Sequence, residues 1–235
     1  AGPGGTGRRT AARHGRVIGG SGSINGMVIN RGAAADYDGW AGLGNKGWGY
    51  DAILPYFKCT ERRIGEGDDR YRGRDGLLPV TDSDWRHPLA DAFAAAAVGI
   101  GLRREREPNG PEPDGVGRVQ LNLHRGRRVS SARAFLHPAI KRHRGSGALS
   151  VRTGAQALRV LFEGRRATGV HYAVAGDEQE VRASREVVLC AGALASPQLL
   201  QVSGVGPAAQ LSALGVPVVH ALDGVGENLQ DHYHV

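Results

Sequence analysis

The sequence predicts an α/β protein, and three stretches carry that prediction. Glu186-Val187-Val188-Leu189-Cys190-Ala191 is an apolar run with no polar alternation, the pattern of a strand buried on both faces of a parallel sheet. Gly192 and then Ser196-Pro197 follow it, and Ser at an N-cap with Pro at the first helical position marks a helix start. Upstream, the β-like runs 149–152, 157–162, 167–174 and 179–183 are separated by Gly154, Glu163-Gly164 and Gly176-Asp177, the spacing of an antiparallel meander.

The remaining elements follow in chain order. Residues 1–14 are rich in Gly, Arg and Thr and read as a loose terminal segment. Asp51 opens a helical stretch that Pro55 is expected to cut to a short turn. Residues 61–76 are charged and Gly-rich and read as a surface loop. His87 to Gly101 reads as a helix built on four consecutive alanines and ended by Gly99 and Gly101. Residues 103–118 read as a second loop. Gln198–Val202 is expected to form a short helix after Ser196-Pro197.

Composition excludes several classes. The chain has 235 residues, 40% of them apolar, and no run approaches the roughly 18 apolar residues of a membrane-spanning helix. The two cysteines, Cys59 and Cys190, sit in unrelated contexts and are expected as thiols. The formal charge is +7, and 27 of the 30 basic residues are Arg, spread along the chain. A nucleic-acid reader shows a basic stripe with stacking aromatics, and aromatics are only 6% here, so no nucleic-acid partner is expected. No Gly-x-Ser-x-Gly elbow occurs, which disfavours a hydrolase. Asp231, His232 and His234 lie too close together, with no further ligand placed, to hold a metal. A cytoplasmic protein is expected, with peripheral membrane association of a longer parent as the alternative. The chain begins at Ala1 and stops at Val235, and it reads as an internal fragment.

Two glycine-rich sites carry the chemistry. Gly2-Pro3-Gly4-Gly5-Thr6-Gly7 matches a dinucleotide fingerprint only formally, because no strand precedes it. The stretch from Gly15 to Met27 differs: Gly19 and Gly20 allow close backbone approach, Ser21 and Ser23 add hydroxyls, and successive N–H groups there suit an anion. The stretch from Ala191 to Gly206 runs from a strand through a glycine into a helix N-terminus, a geometry suited to a phosphate or a flavin. On residue chemistry alone, an ordinary turn and an ordinary β-turn-α unit remain open readings of the two sites.

These segments resemble the two signature motifs of the glucose-methanol-choline (GMC) oxidoreductase family. The first runs from Gly15 through Arg31-Gly32 to Asp36-Tyr37-Asp38-Gly39-Trp40, departing at Gly22, where Ser is usual, and at Ile29, where an aromatic is usual. The second, Gly192 to Gly206, follows the pattern throughout. Residues 126–138 resemble the family's middle segment, and 224–232 the segment after the second signature.

The resemblance implies a partial, Rossmann-like FAD-binding domain and part of an α+β substrate domain with an antiparallel sheet. It assigns 15–60 and 149–235 to the FAD side and 61–148 to the substrate side. It implies oxidation of an alcohol CH–OH by hydride transfer to flavin, with a small-molecule alcohol and an electron acceptor as partners. Val17, Gly19, Gly20 and Ser21 would lie along FAD, and Asn25, Gly26, Met27 and Val28 beside the isoalloxazine. Ala157 would meet the adenine side. The His that tethers FAD covalently in some members is replaced by Ala12, with His14 offset by two, so the flavin is expected to be non-covalent. The family's catalytic His region and its phosphate-binding βαβ have no counterpart here, so no catalytic residue is assigned and the isolated chain is expected to be inactive. A non-enzymatic flavin-binding remnant is the alternative, and a basic Arg/Gly-rich interaction protein the more distant one. Without neighbouring strands, 186–191 is expected to lack partners.

Overall fold

The computed structural model describes residues 13–112 and 114–231. The Gly2–Gly7 match, Ala12, His232 and His234 lie outside them. The chain divides into two compact units, Ala1–Ser150 and Val151–Val235, which hold helices and mixed sheets as an α/β chain should.

The first unit opens with a single 3₁₀ turn, Gly20–Ser23, and then α1 (Ala34–Gly42) and α2 (Tyr50–Thr60). Asp36 starts α1 by accepting the Ala33 N–H at 2.9 Å, and Asp38 starts α2 by accepting the Tyr50 N–H at 2.9 Å, each satisfying a donor that a helix end leaves free. The Tyr37 ring packs edge-on against Trp40 and Phe57 at 5.3 and 5.8 Å between centroids. Pro55 does not cut the second helix to a turn. It lies inside α2, where it removes one bond to the Asp51 carbonyl, and Asp51 is an exposed residue.

The stretch 61–76 is not a surface loop throughout. β1 (Glu61–Ile64) pairs in parallel with β2 (Leu78–Asp82), and β2 pairs antiparallel with β3 (Gln120–Leu121). Glu61, Arg63 and Arg72 are buried. The Glu61 carboxylate accepts from both Arg31 and Arg72, and Arg72 also pairs with Glu107 and donates to Gln120 Oε1 at 2.7 Å. Charge read as solvation is here paired charge in the interior. Burial, and then the neighbouring Arg72, hold the Arg31 pKa down to about 10. Arg72 is lowered too, again chiefly by burial. Both stay cationic at neutral pH, and the Glu61 carboxylate between them, with Glu107 on the far side of Arg72, makes their burial possible.

The expected helix at 87–101 forms as α3 (Pro88–Gly99), capped by His87 Nδ1, which accepts the Leu89 N–H at 3.2 Å. Residues 103–118 form a loop, with Glu105 and Asn109 buried inside it. A short hairpin, β4 (Leu123–His124) and β5 (Arg127–Arg128), leads through a π-helical turn at Ala132–Leu136 into α4 (His137–Arg142).

The second unit is built on an antiparallel meander of β6 (Ala155–Glu163), β7 (Arg166–Val174) and β8 (Asp177–Arg182). Ala175 and Gly176, both at positive φ, make the two-residue turn that matches strand twist. Residues 149–152, expected as a fourth strand, form none. After β8 come α5 (Gly192–Val202), which packs against β6, then β9 (Val205–Gly206), α6 (Ala208–Ala213) and β10 (His220–Ala221), which pairs in parallel with β9. Ser203 Oγ pins α5 to the meander by accepting the Val160 N–H at 2.8 Å.

Two expectations are corrected in this unit. Residues 186–191 are not a buried strand: they pair with no strand among the described residues, and Val188 is 71% exposed. An apolar run supplies the faces of a buried strand, but a strand also needs neighbours for its N–H and C=O groups. Nor does the helix start at Ser196-Pro197. It starts at Gly192, with Pro197 inside it and Ser196 Oγ accepting the Ala191 N–H at 3.1 Å. Pro197 forfeits one bond, and the Ser hydroxyl caps the turn before it instead.

Glu61→Gln should destabilise the first unit by about 3–5 kcal/mol, because it leaves the buried Arg31 guanidinium without its carboxylate partner and Arg72 with Glu107 alone. Trp40, Trp48 and Trp85 all belong to this unit, so urea unfolding followed by tryptophan fluorescence reads it alone; a midpoint equal to the wild type would remove the carboxylate from this role.

Candidate functional site

The first glycine-rich stretch folds into a closed turn. Gly20 N–H donates to the Val17 carbonyl at 2.8 Å, and the Ile24 and Asn25 N–H groups donate to the Ser21 carbonyl at 3.1 and 2.9 Å. Ser21 Oγ accepts the Gly15 N–H at 3.1 Å, and Ser23 Oγ donates to the Ile18 carbonyl at 3.0 Å. The Ser23 hydroxyl is thus spent inside the loop, while the Ser21 hydroxyl keeps its proton to donate. Gly19 has φ +92°, and a Cβ there would meet Ser23 Oγ at 2.5 Å, so the turn requires glycine.

The middle segment supports this turn from behind, a role its sequence did not advertise. Ser131 Oγ donates to the Gly19 carbonyl at 3.2 Å. Arg128 donates to the Gly22 carbonyl at 3.3 Å and to Asn25 Oδ1 at 2.7 Å. Asn25 Oδ1 also accepts the Met27 N–H at 3.1 Å, a local turn that helps hold Met27 at φ 65°, a conformation that strains a non-glycine residue. The Met27 carbonyl then accepts the Asn122 N–H at 3.0 Å, and Ile29 N–H donates to the Gln120 carbonyl at 2.8 Å.

The open side of the turn is apolar. Val17, Ile18, Ile24 and Val28 are 56%, 46%, 52% and 48% exposed. A Cβ added at Gly20 or Gly26 meets nothing within 4 Å. A rigid backbone with exposed apolar side chains and unfilled space at two glycines fits the planar ring system of FAD, which would cover that surface.

Val17, Gly19, Gly20, Ser21, Asn25, Gly26, Met27 and Val28 all lie in the turn of the first unit or directly after it. Ala157 belongs to the second unit. It is exposed on β6 opposite Tyr172, next to a register shift between Ala157 and Arg159. Of the signature residues, Asp36, Tyr37 and Asp38 hold structure: besides the two helix starts, the Tyr37 hydroxyl donates to the Arg31 carbonyl, and burial raises its pKa, keeping the proton it donates. Among the described residues no cluster of His, Cys, Asp and Glu is arranged for a metal.

The family described as GMC oxidoreductase matches residues 4–234. An oxygen-dependent choline dehydrogenase of Pseudomonas fluorescens (strain Pf0-1) is 48% identical over 96% of this chain and 40% of its own length. The mitochondrial choline dehydrogenase of Homo sapiens is 45% identical over 94% of this chain and 36% of its own. Among solved structures, pyridoxine 4-oxidase from Mesorbium loti superposes with a TM-score of 0.80 at 38% identity, covering 88% of this chain and 40% of that one. An FAD-dependent oxidoreductase from Chaetomium thermophilum superposes with a TM-score of 0.85 at 32% identity, covering 93% and 39%. The chain thus spans about 40% of the length of the relatives it matches.

Two glycine substitutions separate the fold of the turn from its open surface. Gly26→Ala, which meets no protein atom within 4 Å, should leave the melting temperature unchanged and weaken FAD binding at least about tenfold if the added methyl takes the space expected for the ring system. Gly19→Ala should lower both. Flavin titration beside a thermal melt reads the pair, and a Gly26→Ala variant that binds FAD like the wild type would put the cofactor elsewhere.

Proposed function

The chain belongs to the GMC oxidoreductase family, which indicates FAD as its cofactor, and from that premise we propose that it is the flavin-contacting portion of an alcohol oxidoreductase. The observation that carries the reading is the exposed apolar surface of Val17, Ile18, Ile24 and Val28 around two open glycines. When bound, FAD would supply the hydride acceptor for an alcohol carbon. Val17, Gly19, Gly20 and Ser21 hold it along one side, Ser21 through its free hydroxyl proton. Asn25, Gly26, Met27 and Val28 lie beside the isoalloxazine, and Ala157 lies on the adenine side. Residues 15–60 and 149–235 serve the cofactor, and 61–148 the substrate side.

A small alcohol is the substrate class, and the names of the choline dehydrogenases among the relatives support an amino alcohol of that kind. The flavin is held without a covalent bond, since His14 is displaced from the tethering position and Ala12 occupies it. No residue of the chain is assigned as the base that alcohol oxidation requires, so the isolated 235-residue chain binds flavin without turning over. Apolar exposure at Val188, Leu89 and Phe93 supports a chain that acts within a longer protein. Among the described residues no helix is long and apolar enough to cross a membrane. A cytoplasmic site is the reading from sequence, and the mitochondrial name of the human relative supports an organelle for homologues of that branch.

The purified chain should bind FAD saturably and show no alcohol-dependent reduction of an artificial acceptor. Its denatured mass should equal that of the polypeptide alone. Turnover of any alcohol by the chain would overturn the inactive assignment, and an added flavin mass would overturn the non-covalent one.

A further inference from the structure

The loop before β3 presents one side chain to the cofactor segment from its far side. Glu107-Pro108-Asn109-Gly110 closes as a turn, with the Gly110 N–H donating to the Glu107 carbonyl at 2.9 Å. Pro at the second position and Gly at the fourth suit that turn. The third residue, Asn109, is 3% exposed. Its Oδ1 accepts the Arg31 N–H at 2.9 Å and its Nδ2 donates to the Ile29 carbonyl at 3.1 Å. A carbonyl and an N–H two residues apart are what one residue of a parallel neighbouring strand would bond.

The side chain therefore continues a ladder. Asn122 bonds the Met27 carbonyl, Gln120 bonds the Ile29 N–H, and Asn109 takes the next two groups. Asn109 is itself held by Gln120 Oε1 at 3.0 Å, the same atom that Arg72 holds at 2.7 Å. Through Arg72 and Glu61 the loop is joined to Arg31, so both ends of 27–31 are fixed from one buried cluster.

We propose that Asn109 is a positioning residue for the flavin: it sets the backbone of 27–31, and with it the strained Met27 and Val28 that face the isoalloxazine. The inference rests on the reading given under Proposed function. It does not touch the cofactor; its effect runs through the backbone it templates.

The test is Asn109→Asp in the FAD-loaded protein carrying this chain. At about pH 8 the carboxylate has no proton to donate, so the bond to the Ile29 carbonyl is lost. At about pH 5 and below it begins to take up a proton and becomes an isostere of Asn with one donor. The FAD dissociation constant should rise at least about tenfold at the higher pH, with a shift of the flavin absorption bands, and both differences should shrink as pH falls. In the flavin-free protein, amide exchange over 27–31 should be at least about tenfold faster than in the wild type at the higher pH, while exchange in the β6–β7 pair stays the same. Wild-type exchange over 27–31 in the variant overturns the inference. So does weaker binding that is independent of pH and leaves the bands of the bound flavin unshifted, since that is a loss of fold alone. If the wild-type protein takes up no flavin, the reading under Proposed function falls and takes the inference with it; if the wild type binds flavin and the variant matches it, only the inference falls.

Discussion

One carboxylate organises the first unit. Glu61 stands between Arg31, which continues from the glycine-rich turn, and Arg72, which reaches to Glu107 and Gln120. Arg72 is the largest fully buried side chain of the described residues. An interior of this kind gains less from burial than an apolar one would, because each ion loses its hydration before it gains its partner. It gains direction instead. Guanidinium and carboxylate groups bond along fixed vectors, so the elements they join meet in one register: β1, the loop after it, the Asn109 turn and the chain entering α1.

This explains which parts of the molecule the sequence disclosed. The signature glycines were legible because their constraint is local: Gly19 must take a positive φ beside Ser23 whatever surrounds it. The meander was legible for the same reason, since Glu163-Gly164 and Gly176-Asp177 mark its turns to within a residue. The helix at α3 declared itself through His87-Pro88 and its alanines.

What stayed hidden depends on partners far along the chain. The charged stretch 61–76 looks like solvent-facing loop until Arg31, thirty residues earlier, and Glu107, more than thirty later, are known to meet it. Asn109 reads as an ordinary turn residue, and only Ile29 and Arg31 reveal its work. The apolar run 186–191 misled in the opposite sense. Its side chains have the pattern of a buried strand, while its backbone finds no ladder within the described residues. Pro55 and Pro197 misled in different ways: Pro55 looks like a helix breaker and Ser196-Pro197 like a helix start, yet each proline lies inside its helix at the cost of one forfeited bond.

The sharing of Glu61 by two arginines has a consequence for how this surface can change over generations. Replacing the whole cluster by well-packed apolar residues can be neutral or favourable, whereas removing any one member leaves its neighbours buried and uncompensated. The substitutions at 31, 61 and 72 are therefore strongly epistatic: their joint effect is not the sum of the single ones. A lineage cannot walk from the ionic interior to an apolar one a residue at a time without crossing unstable intermediates. Innovation in this protein is channelled to positions outside that cluster, such as Gly20 and Gly26, where an added side chain meets no protein atom within 4 Å and answers to no buried partner.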